Sequence, residues 1–389
     1  MRDDWIETTF ETFASLEKGI SYKSSELCDE GEGLPFINLK SIDRGGGYRP
    51  DGLKWYSGKF KSSQVVEPGD LIICCTDLTK QKAILGFPIL VPNIGHSRFC
   101  ISLDLAKIIV DEDLILKSFL FLLLQDRRMR EFMQSRSSGT TVMHLKTSEV
   151  PDVRVALPPL PEQKRIVDLI SSVDSYIETL QQQLESAKKS RNALLHELLT
   201  AGGDDWVEHK LIDMFEIYQP QTIAKSLMSD DGEFIVFGAN GPIGRYHEFN
   251  HDEPEVVVTC RGATCGTVNM TPPKTWITGN AMVVSPKSSE VLKEFLYWAL
   301  VAGVDIQSVI SGSAQPQITR EGLAPVKIKI PPLSIQKEIV DLISGFELNI
   351  SNSEETLNNA KSLRSGLLSD LLSGEHEIPA SYDKVIGAA

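Results

Sequence analysis

Long apolar runs are missing from this chain. The greasiest stretch, LILKSFLFLLL at 114–124, contains Lys117 and falls well short of the roughly 20 apolar residues that cross a bilayer. It reads as a buried helix, and no membrane span is expected. The opening MRDDWIETTF is acidic and lacks the apolar core of a secretory signal, so a cytoplasmic protein is expected. The six cysteines, Cys28, Cys74, Cys75, Cys100, Cys260 and Cys265, show no C-x-x-C spacing, and the expectation is reduced, buried thiols rather than a metal site.

Enzymatic signatures are equally scarce. No GxxxxGK[ST] loop is present to cradle ATP phosphates, and FGANG at 237–241 and RGATCG at 261–266 lack dinucleotide-loop spacing. The [DNS]-P-P-[FYW] tetrapeptide of base-amino methyltransferases is missing, since TPPK at 271–274 has the prolines without the flanks. His247 and His251 stand four apart, but GRYHEFNHDEP reads as a loop rather than the helix that a metalloprotease site needs. Pro151-Asp152 followed by Glu162-Gln163-Lys164 resembles the PD…(D/E)xK pattern of metal-dependent nucleases. A second copy of this segment has Pro325 and Ile335 where the first has Asp152 and Glu162, so the segment reads as a helix N-terminus instead.

Positive charge is in short supply too. With 39 basic against 53 acidic residues the net charge is −14, so the chain alone should bind DNA weakly and salt-sensitively. Basic residues exceed acidic ones in 37–100 and again locally in RRMREFMQSRSSGTTVMHLK after Asp126.

Repetition is what the sequence has. PPLPEQKRIVDLIS at 158–171 returns 173 residues later as PPLSIQKEIVDLIS, and close to half of 157–199 matches 330–372 without a gap. Upstream, DDWIETTFETF is echoed by DDWVEHKLIDMF from Asp204. In the first long helix apolar residues step by fours and threes through Ile166, Ile170, Val173, Ile177, Leu180, Leu184, Ala187, Leu194 and Leu198. The second repeats the phase through Ile339, Ile343, Phe346, Ile350, Leu357, Ala360, Leu367 and Leu371, with Arg191 and Arg364 at matching slots. A 3.5-residue period held this long is a coiled-coil seam, and helices separated by a globular body pair most easily antiparallel. About 38 residues each predicts rods of roughly 55–60 Å.

The expected fold class is α+β: two bodies, 1–157 and 202–330, with spacer helices 158–201 and 331–374, a tail 375–389, and pseudo-two-fold repetition. Strands are predicted at LPFINL, DLIICC, EFIVFGA, EVVVTC and NAMVVSP. One compact helix is predicted per body, at LILKSFLFLLLQDRRMREFM and SEVLKEFLYWALVAG.

Binding residues stand out in the unlike parts. In NLKSIDRGGGYRPDGLKWYSGKFK, Lys40, Arg44, Tyr48, Arg49, Lys54, Trp55, Lys59 and Lys61 interleave cations with aromatics, while Gly45–Gly47 allow close backbone approach. A solvated hairpin with ordinary surface charge is the competing reading. The second body offers Asn240, Arg245, Tyr246 and His247 on a glycine-rich loop, followed by Arg261 and Thr264. Small polar runs before each helix add Ser138, Thr140, Gln315 and Gln317 as donors to bases or phosphates.

Two variable bodies, each followed by a helix opening LPPLPEQKRIVDLI or IPPLSIQKEIVDLI, resemble the specificity (S) subunits of type I restriction–modification systems over about 3–374. The runs SGSAQPQIT and WITGNAMVVS add to the likeness. The resemblance implies two target-recognition domains held apart by an antiparallel coiled coil, each reading one half of a split site in double-stranded DNA, with no catalysis in this chain. It implies two docked methyltransferase subunits and motor/nuclease subunits, with S-adenosylmethionine, ATP and Mg in those partners and no cofactor here. The alternatives are the specificity subunit of a system with a fused methyltransferase–nuclease partner, or a coiled-coil scaffold without a DNA role.

Overall fold

The computed structural model describes residues 4–44, 46–312 and 315–383. Its main helices are α1 (Lys117–Gln125), α2 (Arg127–Ser135), α3 (Leu160–Thr200), α4 (Lys293–Trp298) and α5 (Leu333–Ser373). Two compact units emerge: one runs through Thr179 and resumes at Leu357, the other is Leu180–Thr356. Each unit takes in half of each long helix, because each half-helix shares the apolar core of the body it packs on.

In the first unit a five-stranded sheet runs in the order Leu27–Cys28, Lys54–Tyr56, Leu34–Ile37, Phe99–Ile101, Val65–Val66. A four-stranded sheet orders Ala14–Lys18, Leu105–Val110, Leu71–Cys74 and Pro88–Leu90. Leu71–Cys74 is buried along its whole length, which is why DLIICC is an unbroken apolar run rather than an alternating one. The helix expected over 114–133 divides into α1 and α2 at Asp126, whose carboxylate accepts the Arg128 N–H at 3.1 Å and caps the second segment. Ile166 and Ile170 of α3 join Leu368, Leu371 and Leu372 of α5 in this unit's core. The tail is part of the same body: Ile378 is buried there, Tyr382 packs beside it, and Arg165 pairs with Asp383 at 3.3 Å. Residues 384–389 of the expected tail lie outside the described residues.

The second unit repeats the plan with fewer strands. Phe215–Tyr218, Ala281–Pro286, Val256–Thr259 and Val268–Met270 form one sheet; Pro242–Tyr246, Phe234–Phe237 and Thr275–Ile277 form another. α4 continues into a wide turn over Ala299–Gly303, and Leu195 and Leu199 of α3 meet Ile339 and Ile343 of α5 in the core. In both units the first strand pairs antiparallel with the last strand before a long helix, Ile6–Thr9 with Arg154–Leu157 and Val207–Lys210 with Lys327–Ile330.

Within each unit α3 and α5 run antiparallel. Arg364 grips Asp174 through two bonds in the first unit; in the second, Arg191 pairs with Glu347 and Lys188 with Glu354 at 2.7 Å. Asp174 and Glu347 are the same repeat position, as are Arg191 and Arg364, so one ion pair is written twice. Every seam residue named from the sequence is at least half-buried. Toward the C-terminal ends the deepest positions shift, with Leu195, Leu199, Leu368 and Leu372 buried and Leu194, Leu198 and Leu367 only half so. There the helix faces a body as well as its partner helix, and the buried arc widens beyond a two-position seam.

The repeated Gln is a buried clamp. Gln163 Nε2 donates to the carbonyls of Pro158 and Leu114, and its Oε1 accepts the Leu116 N–H at the start of α1. Gln336 does the same with Pro331, Glu290 and the Leu292 N–H before α4. Glu162 is 2% exposed and accepts the Trp5 indole N–H at 3.3 Å, a structural partner rather than a metal-facing carboxylate. At the matching place in the second unit Trp206 and Ile335 share an apolar cluster, so the carboxylate has no repeat counterpart.

Candidate nucleic-acid interface

In the first body the turns after Leu34–Ile37 place a basic wall along a groove of about 790 Å³. Lys40, Arg44, Arg49 and Lys54 line it with Asp51 and Asp77. Asn38 builds this wall: its side chain accepts the Lys40 N–H at 2.9 Å and donates to the Gly52 carbonyl at 3.2 Å, tying two turns together. Gly52 is required here, since a Cβ would lie 1.8 Å from the Lys40 carbonyl oxygen. Arg49 holds Asp51 in a two-bond fork at 2.7 and 2.6 Å. That fork holds the guanidinium above its usual range and the carboxyl below its own. Lys40, Arg44 and Lys54 are exposed and make no ion pair among the described residues.

The other cations and aromatics of this stretch fall elsewhere. Strand alternation turns Trp55 away from Lys54, and its ring meets His96 edge-on at 5.2 Å. Tyr48 is half-buried with no hydrogen-bond partner for its hydroxyl among the described residues, and burial pushes that phenol up. Lys59 and Lys61 are exposed but do not line the groove. Gly46 and Gly47 take positive φ; Gly45 lies outside the described residues. Ser138 and Thr140 are exposed on a hairpin whose second strand, Met143–Leu145, pairs with Thr76–Asp77 at the foot of the groove.

In the second body the predicted residues divide into two groups. Arg261 and Gln317 form a backbone bridge, and the Gly262 N–H donates to the Pro316 carbonyl. Thr264, Arg261, Gln315 and Gln317 are therefore exposed on adjoining loops. Asn240 belongs with them, because Thr259 Oγ1 donates to the Ala239 carbonyl, and Asn240 accepts from Asn269, which sequence reasoning had passed over. Ser313 and Ala314 of the polar run lie outside the described residues. Arg245 is committed to structure: its guanidinium donates to the carbonyls of Gly232 and Glu233, both at 2.6 Å. Tyr246 packs edge-on against Trp276, and His247 is exposed beside it.

No group of His, Cys, Asp and Glu among the described residues could hold a metal ion. Cys74 and Cys75 are buried beneath the groove, and burial pushes the Cys75 thiol up to about 12 and Cys74 higher still. No helix among the described residues is long and apolar enough to cross a membrane.

A family model described as the type I restriction modification DNA specificity domain matches this chain twice, over 2–189 and 203–361. The chain belongs to this family. Among curated relatives, the Escherichia coli type I restriction enzyme EcoBI specificity subunit is 26% identical over 239 residues, covering 59% of this chain and 47% of the relative. The MjaVIII specificity subunit of Methanocaldococcus jannaschii is 20% identical over 296 residues, 66% of this chain and 70% of that one. The matched stretch thus spans about half the length of the first. The type I restriction–modification S subunit structure from M. genitalium aligns with a TM-score of 0.57 at 17% identity, covering 94% of this chain and 96% of that one. A chain solved in work on assembly and conformational transition of the type I R-M system aligns at 0.60 and 18% identity, covering 96% and 98%. Both share the fold. The specificity domain thus occurs twice in this chain.

Proposed function

We propose that this chain is the non-catalytic sequence-specificity subunit of a type I restriction–modification complex, each body reading one half of a bipartite site in double-stranded DNA. The two long helices set the spacing of the half-sites. Two methyltransferase subunits, carrying S-adenosylmethionine, dock on the repeated framework; motor/nuclease subunits supply ATP- and Mg-dependent cleavage. The observation that carries this reading is the groove of the first body, which Lys40, Arg44 and Lys54 line with no ion pair among the described residues, in a chain of net charge −14. Such a local cationic wall suits phosphate contact, and the unlike loops of the second body suit a different half-site.

Docking of one partner twice is supported by a second repetition. Ile6 is 70% exposed beside Leu160, and Val207 is 54% exposed beside Leu333, so each unit offers the same bare apolar edge where body meets helix. The test is a methylation assay with the methyltransferase subunit and a random duplex library. A split motif is expected; methylation without sequence preference would remove the specificity role. Replacing 1–157 with the body of another family member should change one half of that motif and leave the other.

A further inference from the structure

The basic wall faces a second wall that no motif announced. It is the loop after Thr76–Asp77, and Leu78, Thr79, Gln81, Ala83 and Ile84 line the same groove. Its backbone is held at Thr79, Lys82, Ala83, Ile84 and Leu85. Asp77, 1% exposed, accepts the Thr79 N–H at 2.7 Å, the Thr79 hydroxyl at 2.8 Å and the Ile84 N–H at 2.9 Å. Lys82 sits at φ +55°, a left-handed conformation unusual for a residue with a side chain. It is fixed there by two bonds to α2, Nζ to the Gln134 carbonyl and Gln134 Nε2 to its own carbonyl. Arg130 of α2 donates to the carbonyls of Leu85 and Ala83 at 2.6 and 2.8 Å while its guanidinium lies 5.1 Å over the Phe87 ring. The tip of that ring abuts Gly46, where a Cβ would come within 2.3 Å. Both walls are therefore braced on Phe87.

Two side chains are left out of this bracing. Leu78 is 65% exposed, and Gln81 is exposed with no hydrogen-bond partner among the described residues. A loop held this firmly, with an apolar and an amide side chain standing bare opposite three unpaired cations, has the parts that separate base reading from phosphate gripping. The amide offers a donor and an acceptor side by side, the pattern that matches an adenine edge in the major groove, and a bare aliphatic group suits a thymine methyl. Rigidity matters because a preordered loop loses little freedom on binding.

We propose that Leu78–Gln81 is the base-reading loop of the first body, with Gln81 addressing one base pair of its half-site and Leu78 lying against the neighbouring edge. Lys40, Arg44 and Lys54 hold phosphates across the groove. This rests on the DNA-reading function proposed above and adds the residues that select the sequence.

The experiment compares motifs methylated in a random duplex library by the full chain with its methyltransferase subunit. It uses the unaltered chain, Gln81→Ala, Leu78→Ala and Lys54→Ala. Gln81→Ala should relax discrimination at one position of one half-site on the order of tenfold or more, leaving the other half unchanged. Lys54→Ala should weaken methylation of all sequences evenly and keep the motif. Thermal melting of each variant identifies loss of fold, and both loop substitutions, being at exposed side chains, should melt as the unaltered chain does. A motif unchanged in both Gln81→Ala and Leu78→Ala would overturn the loop assignment while the DNA-reading function stands. An unaltered complex with no split motif would overturn that function itself.

Discussion

The side-chain carbonyl of Gln163 accepts the backbone N–H of Leu116 at 2.8 Å, and Gln336 repeats the bond with Leu292 at 2.9 Å. Each glutamine thereby caps a body helix from the first turn of a long one, and both are 0% exposed. Gln163→Leu leaves a buried N–H and two carbonyls without partners. A loss of about 2–4 kcal/mol is expected, or a fall in Tm of roughly 4–15 °C for a unit of this size. Calorimetry on Gln163→Leu and Gln336→Leu should each show this; a variant melting with the unaltered chain would remove the clamp role.

The repeated ion pair should be worth less. Arg364 is largely covered, but Asp174 is 45% exposed, so solvent screens the pair. A double-mutant cycle over Arg364→Ala and Asp174→Ala should give a coupling of about 0.5–1 kcal/mol that shrinks as salt rises. A coupling of several kcal/mol, or one indifferent to salt, would contradict this.

Groove cations and structural cations should differ in kind. Lys40→Ala and Lys54→Ala should each reduce the slope of log affinity against log salt by about 0.9, measured by fluorescence anisotropy on the reconstituted complex. Arg245→Ala should leave that slope unchanged and lower stability by about 1 kcal/mol through loss of its bonds to the Gly232 and Glu233 carbonyls. A slope change for Arg245→Ala would place it on the DNA.

His251 gives the second unit a pH dependence. Burial lowers its pKa below 6.5, a nearby Lys293 adds to this and Glu255 opposes it, while Tyr218 bonds its Nε2 at 2.9 Å. The unfolded chain therefore binds the proton more tightly than the folded one. The stabilising contribution is fully present above pH 6.5 and is lost as pH falls through the lowered folded value. Melting from pH 7.5 to 5.5 should show stability declining below about pH 6.5, less steeply in His251→Asn. Equal slopes for the two proteins would exclude His251 as the source.

The framework was legible because it is periodic and written twice. The matched openings at Pro158 and Pro331, the seams and the Arg191–Arg364 correspondence all follow from local chain chemistry. The α1–α2 break was not foreseen, because Gln125, Arg127 and Arg128 around Asp126 all suit a continuous helix; the extended ψ of Asp126 ends α1 and its carboxylate caps α2. Leu195 and Leu368 escaped the seam because a body as well as the partner helix buries the face they lie on. Within the candidate interface, Lys40, Arg44 and Lys54 were found by composition, whereas the Leu78–Gln81 loop was not. Nothing in DLTKQKAIL has a motif, and its order depends on Arg130 and Gln134, which reach it from about fifty residues away. Arg245 is the converse case, since a basic residue on a glycine-rich turn reads alike whether it faces phosphate or bonds to nearby carbonyls such as those of Gly232 and Glu233.

The first unit is assembled from two stretches separated in the chain, whereas the second is one continuous stretch. During synthesis Leu180–Thr356 leaves the ribosome complete and is free to fold as a unit. Its predecessor must wait for Leu368, Leu371, Leu372 and Ile378 before its core can close. A ribosome that stops after Thr356 therefore releases a chain whose later-made unit is whole and whose earlier-made unit still exposes apolar core, a natural target for chaperones and proteases.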